Sequence, residues 1–450
     1  MYTNNITTRR AKAAVSPSRR ALLLGAPSAI FAHLCGLSGS ARAEEGKIIV
    51  VTSFPEELTT RYEQEFEKKF PGVHVQYVWK QSRDALAELS KPDQGGADVY
   101  WAPSLGNFPI LRDRGAFRKL SVDRAALPGR LGDEQLSDPA GTFEAYDIAG
   151  YGVVVNPALL DARGLSRPKN WRDLAAPAVA DQLAMPIPSK VGFAPALYDI
   201  ILQSEGWERG WALLGEMSGN AELLASGAGP TTSVREGRFP LALSIDFFPL
   251  SAQANGLPVE FVYPARTAFL PAHIAITAST RNVDLAKAFV DFALSREGQR
   301  LMMETDSSRH PARPDAYQNK PANIVDPFAL GKDAIFAYDS DIGRRRPGLV
   351  NLLFDIALTE RHAQVKDLWR AIHAAEAKLA ASPDAEAAKR VAEARRLAGL
   401  VPVAASEADD PKALEGYAKR DAIEPALLAK WRAALDESRA TALALVGRAP

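Results

Sequence analysis

The sequence predicts an α/β protein built on an open, largely parallel sheet and followed by a helical tail. Three observations predict it. Short β-rich runs alternate with amphipathic helical stretches, β-α-β-α-β, between residues 47 and 111. A strong strand at 149–157, AGYGVVVNP, begins a second such region. From Pro347 onward the chain changes to Leu, Trp and Ala at helical spacing.

The elements follow in order. KIIVVTSF (47–54) has no polar face, as expected of a strand buried on both sides. Ser53 and Glu56 fit a capping box, and Leu58, Tyr62, Phe66 and Phe70 recur every four residues until Pro71-Gly72 stops the helix. VHVQYVW (73–79) alternates as a strand, Arg83 to Leu89 is a short helix, and ADVYWA (97–102) is a third strand with a helix around Ile110 and Leu111. Open parallel sheets gather ligands at the carboxyl ends of their strands. Thr52, Ser53 and Phe54, then Lys80, Gln81, Ser82 and Arg83, then Pro103 and Ser104 all fall there.

In the second region NWRDLAAP starts a helix, Ala194–Leu202 and Trp207–Met217 are helical, and strands are expected at 239–246, 257–264 and 268–277. Two capped helices follow Asn282 and Ser295. Between an apolar run ending at Ile187 and the helix near Phe193 stands PSKVG (188–192). Such a strand-to-helix turn exposes unsatisfied N–H groups, a seat for an anion, to which Lys190 adds a compact charge and Ser189 a donor. The local alternative is a serine N-cap beside a solvated lysine, and the residues leave both open. In the tail, Leu349, Leu352, Leu353, Ile356, Val365, Leu368, Trp369, Ile372 and Leu379 form an apolar stripe expected to pack on the α/β body.

Charge is spread unevenly. Residues 1–43 carry six basic side chains (Arg9, Arg10, Lys12, Arg19, Arg20, Arg42) and no acidic one, leaving 48 Lys and Arg against 54 Asp and Glu in the remainder. A body at −6 is not built to coat nucleic acid. Ser18-Arg19-Arg20, a moderately apolar stretch and Ala41-Arg42-Ala43 predict a secretory signal peptide of twin-arginine type, cleaved after Ala43 to give a periplasmic protein. Cys35, the sole cysteine, would be removed with it, which excludes disulfides and thiolate metal sites. The six histidines form no H-x-x-x-H pair, and G-x-S-x-G, Walker A and G-x-G-x-x-G motifs are absent. Ser166-Arg167-Pro168-Lys169 matches S-x-x-K, but its proline opposes the helix that chemistry needs. No enzyme activity and no cofactor are expected.

VTSF, DVYWAPS, YGVVVNP, NWRDL, IPSKVG and AKAFVDFALSREGQRL, in this order, resemble the solute-binding proteins of ABC transporters, in the group with iron(III), putrescine and phosphonate binders. The resemblance covers about residues 47–315 and implies a two-lobed type II periplasmic binding protein fold with a helical C-terminal extension. It places one lobe at 44–149 and 267–340, the other at 150–266 and the extension at 341–450, with ligand held in a cleft closed by hinge motion. Under it Ser189, Lys190 and Gly192 clamp a small anion, organophosphate or carboxylate, from the second lobe. Thr52, Ser53, Phe54, Ser82, Arg83 and Ser104 face it from the first, with Tyr151 and Asp246 near the crossing strands. Iron-binding members have adjacent tyrosines where this chain has Phe247-Phe248, so the resemblance argues against ferric binding. The segment 349–379 is similar to the tail of phosphoglycerate-type regulatory members, which act with a sensor kinase. The implied protein partner is therefore an ABC permease or a periplasmic sensor-kinase domain.

Overall fold

The computed structural model describes residues 46–450 apart from 133, 305–306, 331–334, 419–422 and 448–450. The expected export signal and its cleavage site lie outside the described residues. The first half of the molecule runs β1 (Gly46–Thr52), α1 (Glu56–Lys69), β2 (Val73–Trp79), α2 (Ser82–Leu89), β3 (Val99–Ala102) and α3 (Asn107–Asp113), then a small hairpin, β4 (Arg130–Leu131) and β5 (Glu134–Gln135). β1 pairs in parallel with both β2 and β3. Its unbroken apolar run follows from that central place: Ile48 and Val50 enter one core with Leu58, Tyr62 and Phe66 of α1, while Val51 enters a second on the opposite face. The expected capping box is not formed. Pro55 is the N-cap of α1, and Thr52 Oγ1 instead accepts the Phe54 N–H at 3.1 Å.

The strand expected at 149–157 begins earlier. β6 (Phe143–Val155) is 13 residues long and belongs to both halves. The second half adds α4 (Pro157–Ala162), β7 (Leu183–Pro186), α5 (Ala194–Glu205), α6 (Trp207–Gly219), β8 (Ala221–Leu224), α7 (Gly229–Arg235), β9 (Leu241–Ile245), α8 (Phe247–Ala254) and β10 (Glu260–Val262). NWRDL forms a 3₁₀ turn with a full Asn170–Asp173 capping box. The chain returns through β11 (Phe269–Ile276), α9 (Val283–Leu294), α10 (Arg296–Leu301) and the two-residue β12 (His310–Pro311). Ser295 caps α10, but the Asn282 side chain donates to Lys47 O and Asp98 rather than capping α9. The sheet order is β2-β1-β3-β11-β6-β9-β7-β8. β6 pairs with β11 through Gly150 and with β9 from Tyr151 onward, so the crossing point is a single peptide.

The tail comprises α11 (Ser340–Gly343), α12 (Pro347–Phe354), a π turn (Asp355–Thr359), α13 (His362–Ala381), α14 (Ala385–Ala398), α15 (Ala405–Ala408), α16 (Pro411–Tyr417) and α17 (Pro425–Gly447). Its stripe shares one apolar core with the second half: Leu349, Leu353, Trp369 and Ile372 pack with Leu197, Ile201, Leu214 and Met217. α6 is shaped to receive it. A Cβ at Gly219 would stand 2.8 Å from Trp369 Cβ, so only glycine allows that approach.

The stretch before α12 ties both halves together. Ser340 Oγ donates to both carboxyl oxygens of Glu134 at 2.8 and 2.7 Å, while Tyr338 OH donates to Asp199 Oδ2 at 2.9 Å. Burial pushes the Glu134 carboxyl up to about 7, against the opposing effects of Ser340 and Arg130. With its folded pKa above the unfolded value, its contribution is present at low pH and lost as pH rises through about 7. Buried His273, lowered to about 3, acts in the opposite sense, so a difference measurement is needed. Stability of the native chain relative to Glu134→Gln should fall by about 3 kcal/mol between about pH 5 and pH 8. Denaturant titrations that stay parallel across that range would contradict it.

Candidate functional site

Three segments converge where β6 passes from one half to the other. β12 sets Pro311 opposite Asp147 and His310 opposite Ile148. The preceding Arg309 places Nη1 2.8 Å from Asp147 Oδ2, a pair only 5% and 1% exposed. Its guanidinium lies 4.9 Å from the Phe54 ring and 4.1 Å from the Phe247 ring. Phe54 follows β1 and Phe247 opens α8, so one cation stacks on aromatics from both halves. Asp147 is its only hydrogen-bond partner for the side chain among the described residues. Burial raises the Asp147 pKa, and the adjacent Arg309 works against that rise.

On the other side of the crossing, Asp246 Oδ2 accepts the Gly150 N–H at 2.5 Å and the Tyr263 hydroxyl at 3.1 Å, and lies 3.2 Å from His310 Nε2. Gly150 makes this possible: a Cβ there would sit 2.4 Å from the Tyr263 ring and 3.0 Å from Asp246 Oδ2. Tyr151 is buried and its hydroxyl has no hydrogen-bond partner among the described residues. Burial, then the charges of Asp246 and Asp147, raise its pKa, and burial with Asp246 does the same to Tyr263. Among the described residues no group of three or more His, Cys, Asp or Glu is placed to hold a metal ion.

The second-half wall is made of strand-to-helix turns. PSKVG is the expected strand-to-helix turn, with the helix starting near Phe193, but Ser189 is not its N-cap. Lys190 and Val191 N–H both donate to Ile187 O (3.0 and 2.9 Å), and α5 starts at Ala194 with Phe193 as N-cap. Pro195 suits the first helical turn, where its missing N–H is no loss, so the helix begins later than Ser189. Ser189 is half-buried and donates to Asp355 Oδ1 at 2.8 Å, while Lys190 and Gly192 are exposed. Gly227, in the turn after β8, lies against Val191 and Phe193. Phe193, Phe248 and Phe247 continue the wall at centroid spacings of 6.2 and 4.6 Å. It runs unbroken from this turn to Arg309.

In the first half, Thr52 is fully buried and locks its own turn, while Ser53 is half-buried beside Phe54. Ser104 is buried near Tyr100, whose hydroxyl accepts from Asn107 Nδ2 at 2.8 Å. Ser82 offers its carbonyl to Asn107 Nδ2 and, like Arg83, has an exposed side chain at the start of α2, just after the outer strand β2. The structure thus brings Phe54, Asp246 and Tyr151 to the crossing point, Ser189 to the adjoining wall, and leaves Ser82 and Arg83 at the rim.

Sequence reasoning missed Arg309, Asp147, His310, Tyr263 and Asp355. Asp147 had a signal: FEAYDIAGYGVVV carries two carboxylates, Glu144 and Asp147, in a largely apolar strand, and each needs a partner when buried. The glycine-rich SGAGPTT turn (226–232) was the counterpart of PSKVG. Two cavities of about 380 and 390 Å³ lie elsewhere, one lined by Glu216, Trp369 and Arg395, the other by Lys287, Asp291 and Arg313. Their charges are spent on one another, Arg395 with Glu216 and Glu376, Lys287 with Asp291.

Comparison with known proteins bears on the family and the fold. The chain is 29% identical over 398 residues to the phosphoglycerate transport regulatory protein PgtC of Salmonella typhimurium, covering 88% of this chain and 95% of that one. It is 24% identical over 294 residues to a gamma-aminobutyric acid-binding protein of Pseudomonas aeruginosa, covering 60% and 79%. The periplasmic binding protein AfuA of Actinobacillus pleuropneumoniae, solved with fructose-6-phosphate, superposes with a TM-score of 0.58 at 21% identity, covering 69% of this chain and 98% of AfuA. Iron-bound HitA of P. aeruginosa gives 0.54 at 17%, covering 67% and 99%. These likenesses show the two-lobed periplasmic binding fold. No helix among the described residues is long and apolar enough to cross a membrane. Residues 111–336 match the model of the bacterial extracellular solute-binding proteins, and the chain belongs to that family.

Proposed function

We propose that this solute-binding protein captures a small anion, an organophosphate or carboxylate, between its lobes for delivery to an ABC permease. The observation that carries the reading is Arg309. A buried guanidinium stacked between an aromatic of each half, with most of its N–H groups unengaged, suits an anion that both lobes must close upon. Ser53, the PSKVG turn with Ser189, Lys190 and Gly192, and the neutral Tyr151 supply nearby polar groups. Ser82, Arg83 and Ser104 are assigned to the rim and frame of the same cleft. PgtC, a phosphoglycerate transport regulatory protein, and AfuA, solved with fructose-6-phosphate bound, support organophosphates as the first class to try.

A thermal-shift screen of organophosphates, carboxylates, polyamines and ferric ion tests it. Saturation at about 100 times Kd should add about 2.7 kcal/mol of stability. The expected hits are anions. Stabilisation by polyamines or ferric ion alone would overturn the reading. A second reading, presentation of the occupied protein to a sensor kinase, is favoured by likeness to a regulatory protein over 95% of its length. Binding of the purified periplasmic kinase domain only when solute is present would support it.

A further inference from the structure

Ser189 carries one proton, and the structure shows where it goes. Its hydroxyl donates to Asp355 Oδ1 at 2.8 Å, across 166 residues of chain. Asp355 belongs to the C-terminal extension, at the start of the π turn that interrupts the run from α12 to α13, and is 8% exposed. A serine whose proton is committed to a carboxylate has only its two lone pairs left. It can accept from a solute but cannot donate to one without breaking the bond to Asp355. Local π turns of this kind are frequent at functional positions.

Resting on the anion reading above, we infer that Asp355 is a specificity-determining residue that turns Ser189 into an acceptor, so that the solute carries a hydroxyl or ammonium donor apart from its anionic group. The anion engages Arg309; the donor meets Ser189 along the wall formed by Phe247, Phe248 and Phe193. A site built around a polar partner rejects the analogue lacking it more strongly than it rejects a change in apolar bulk, because a polar group is then left unpaired. The helical extension thereby takes part in solute choice as well as in stability.

Two matched pairs of probes test this by calorimetry: 3-phosphoglycerate against 3-phosphonooxypropanoate, which lacks only the 2-hydroxyl, and γ-aminobutyrate against butyrate, which lacks the ammonium. For at least one pair the native protein should prefer the donor-bearing member by about tenfold or more. The pair that shows it identifies the donor as hydroxyl or ammonium. Ser189→Ala, a small change in a half-buried turn, should bring that ratio within about threefold of unity. Asp355→Ala should do the same and tighten binding of the donor-less anion, because the freed serine can now donate to it. Asp355→Asn, which still accepts the serine proton, should keep a clear preference. If Asp355 only props the turn, its variants weaken both members of a pair by the same factor, and the inference is overturned while the anion reading survives. If none of the four probes binds the native protein, the anion reading falls and the inference with it.

Discussion

Truncation after Arg346 should leave no soluble folded protein. Removing Pro347 onward takes away Leu349, Leu352, Leu353, Phe354, Ile356, Val365, Leu368, Trp369 and Ile372, all buried in the same core as α5 and α6. It would expose Leu197, Leu214 and Met217, each at 0% exposure, and leave the α6 groove at Gly215 and Gly219 without its Trp369. Each fully buried large apolar side chain is worth about 1.5–3 kcal/mol, so the loss far exceeds the ~5–15 kcal/mol stability of a typical protein. The milder variant Trp369→Ala should fold but lose about 3–5 kcal/mol, the usual figure for an aromatic cavity. Chemical denaturation reads it. A truncated protein that stays soluble and melts as the full chain does would make the extension a separate module.

The fold was legible where periodicity spoke. β1, α1, β2, α2 and β3 lie where alternating runs placed them, and the Leu/Trp stripe is buried as its spacing required. Boundaries governed by local competition were not legible. The Ser53 capping box lost to Thr52 taking the Phe54 amide, and at PSKVG the helix starts near Phe193 as expected while the alternative Ser189 N-cap lost to a turn closed on Ile187. At the site, the turn residues could be named from strand ends alone. Beyond Tyr151 and Asp246 the crossing-point cluster could not, because Asp147, Tyr263 and Arg309 are far apart in sequence and meet only through the antiparallel pairing of β6 with its neighbours β9, β10, β11 and β12. Asp355 was hidden for the same reason. It sits in a helical stretch whose composition reads as core, and its role appears only when the extension is folded back on the second half.

Arg309→Ala should remove solute binding, but alone it confounds two effects. The variant also strips Asp147 of its partner inside the protein, and an uncompensated buried carboxylate costs about 3–5 kcal/mol. Adding Asp147→Asn removes that charge, so the double variant should recover most of the lost stability. It should not recover binding, because the guanidinium that meets the anion is still missing. A charge-assisted hydrogen bond contributes about 1.5–3 kcal/mol, and a guanidinium can make two to one anion. The decisive measurement is a calorimetric titration of Arg309→Ala/Asp147→Asn, confirmed as folded, with the anion that most stabilises the native protein. An interlobe anion site centred on Arg309 predicts at least about a hundredfold weaker binding, or about 2.7 kcal/mol. Affinity within about threefold of the native protein would place the solute elsewhere and contradict the account.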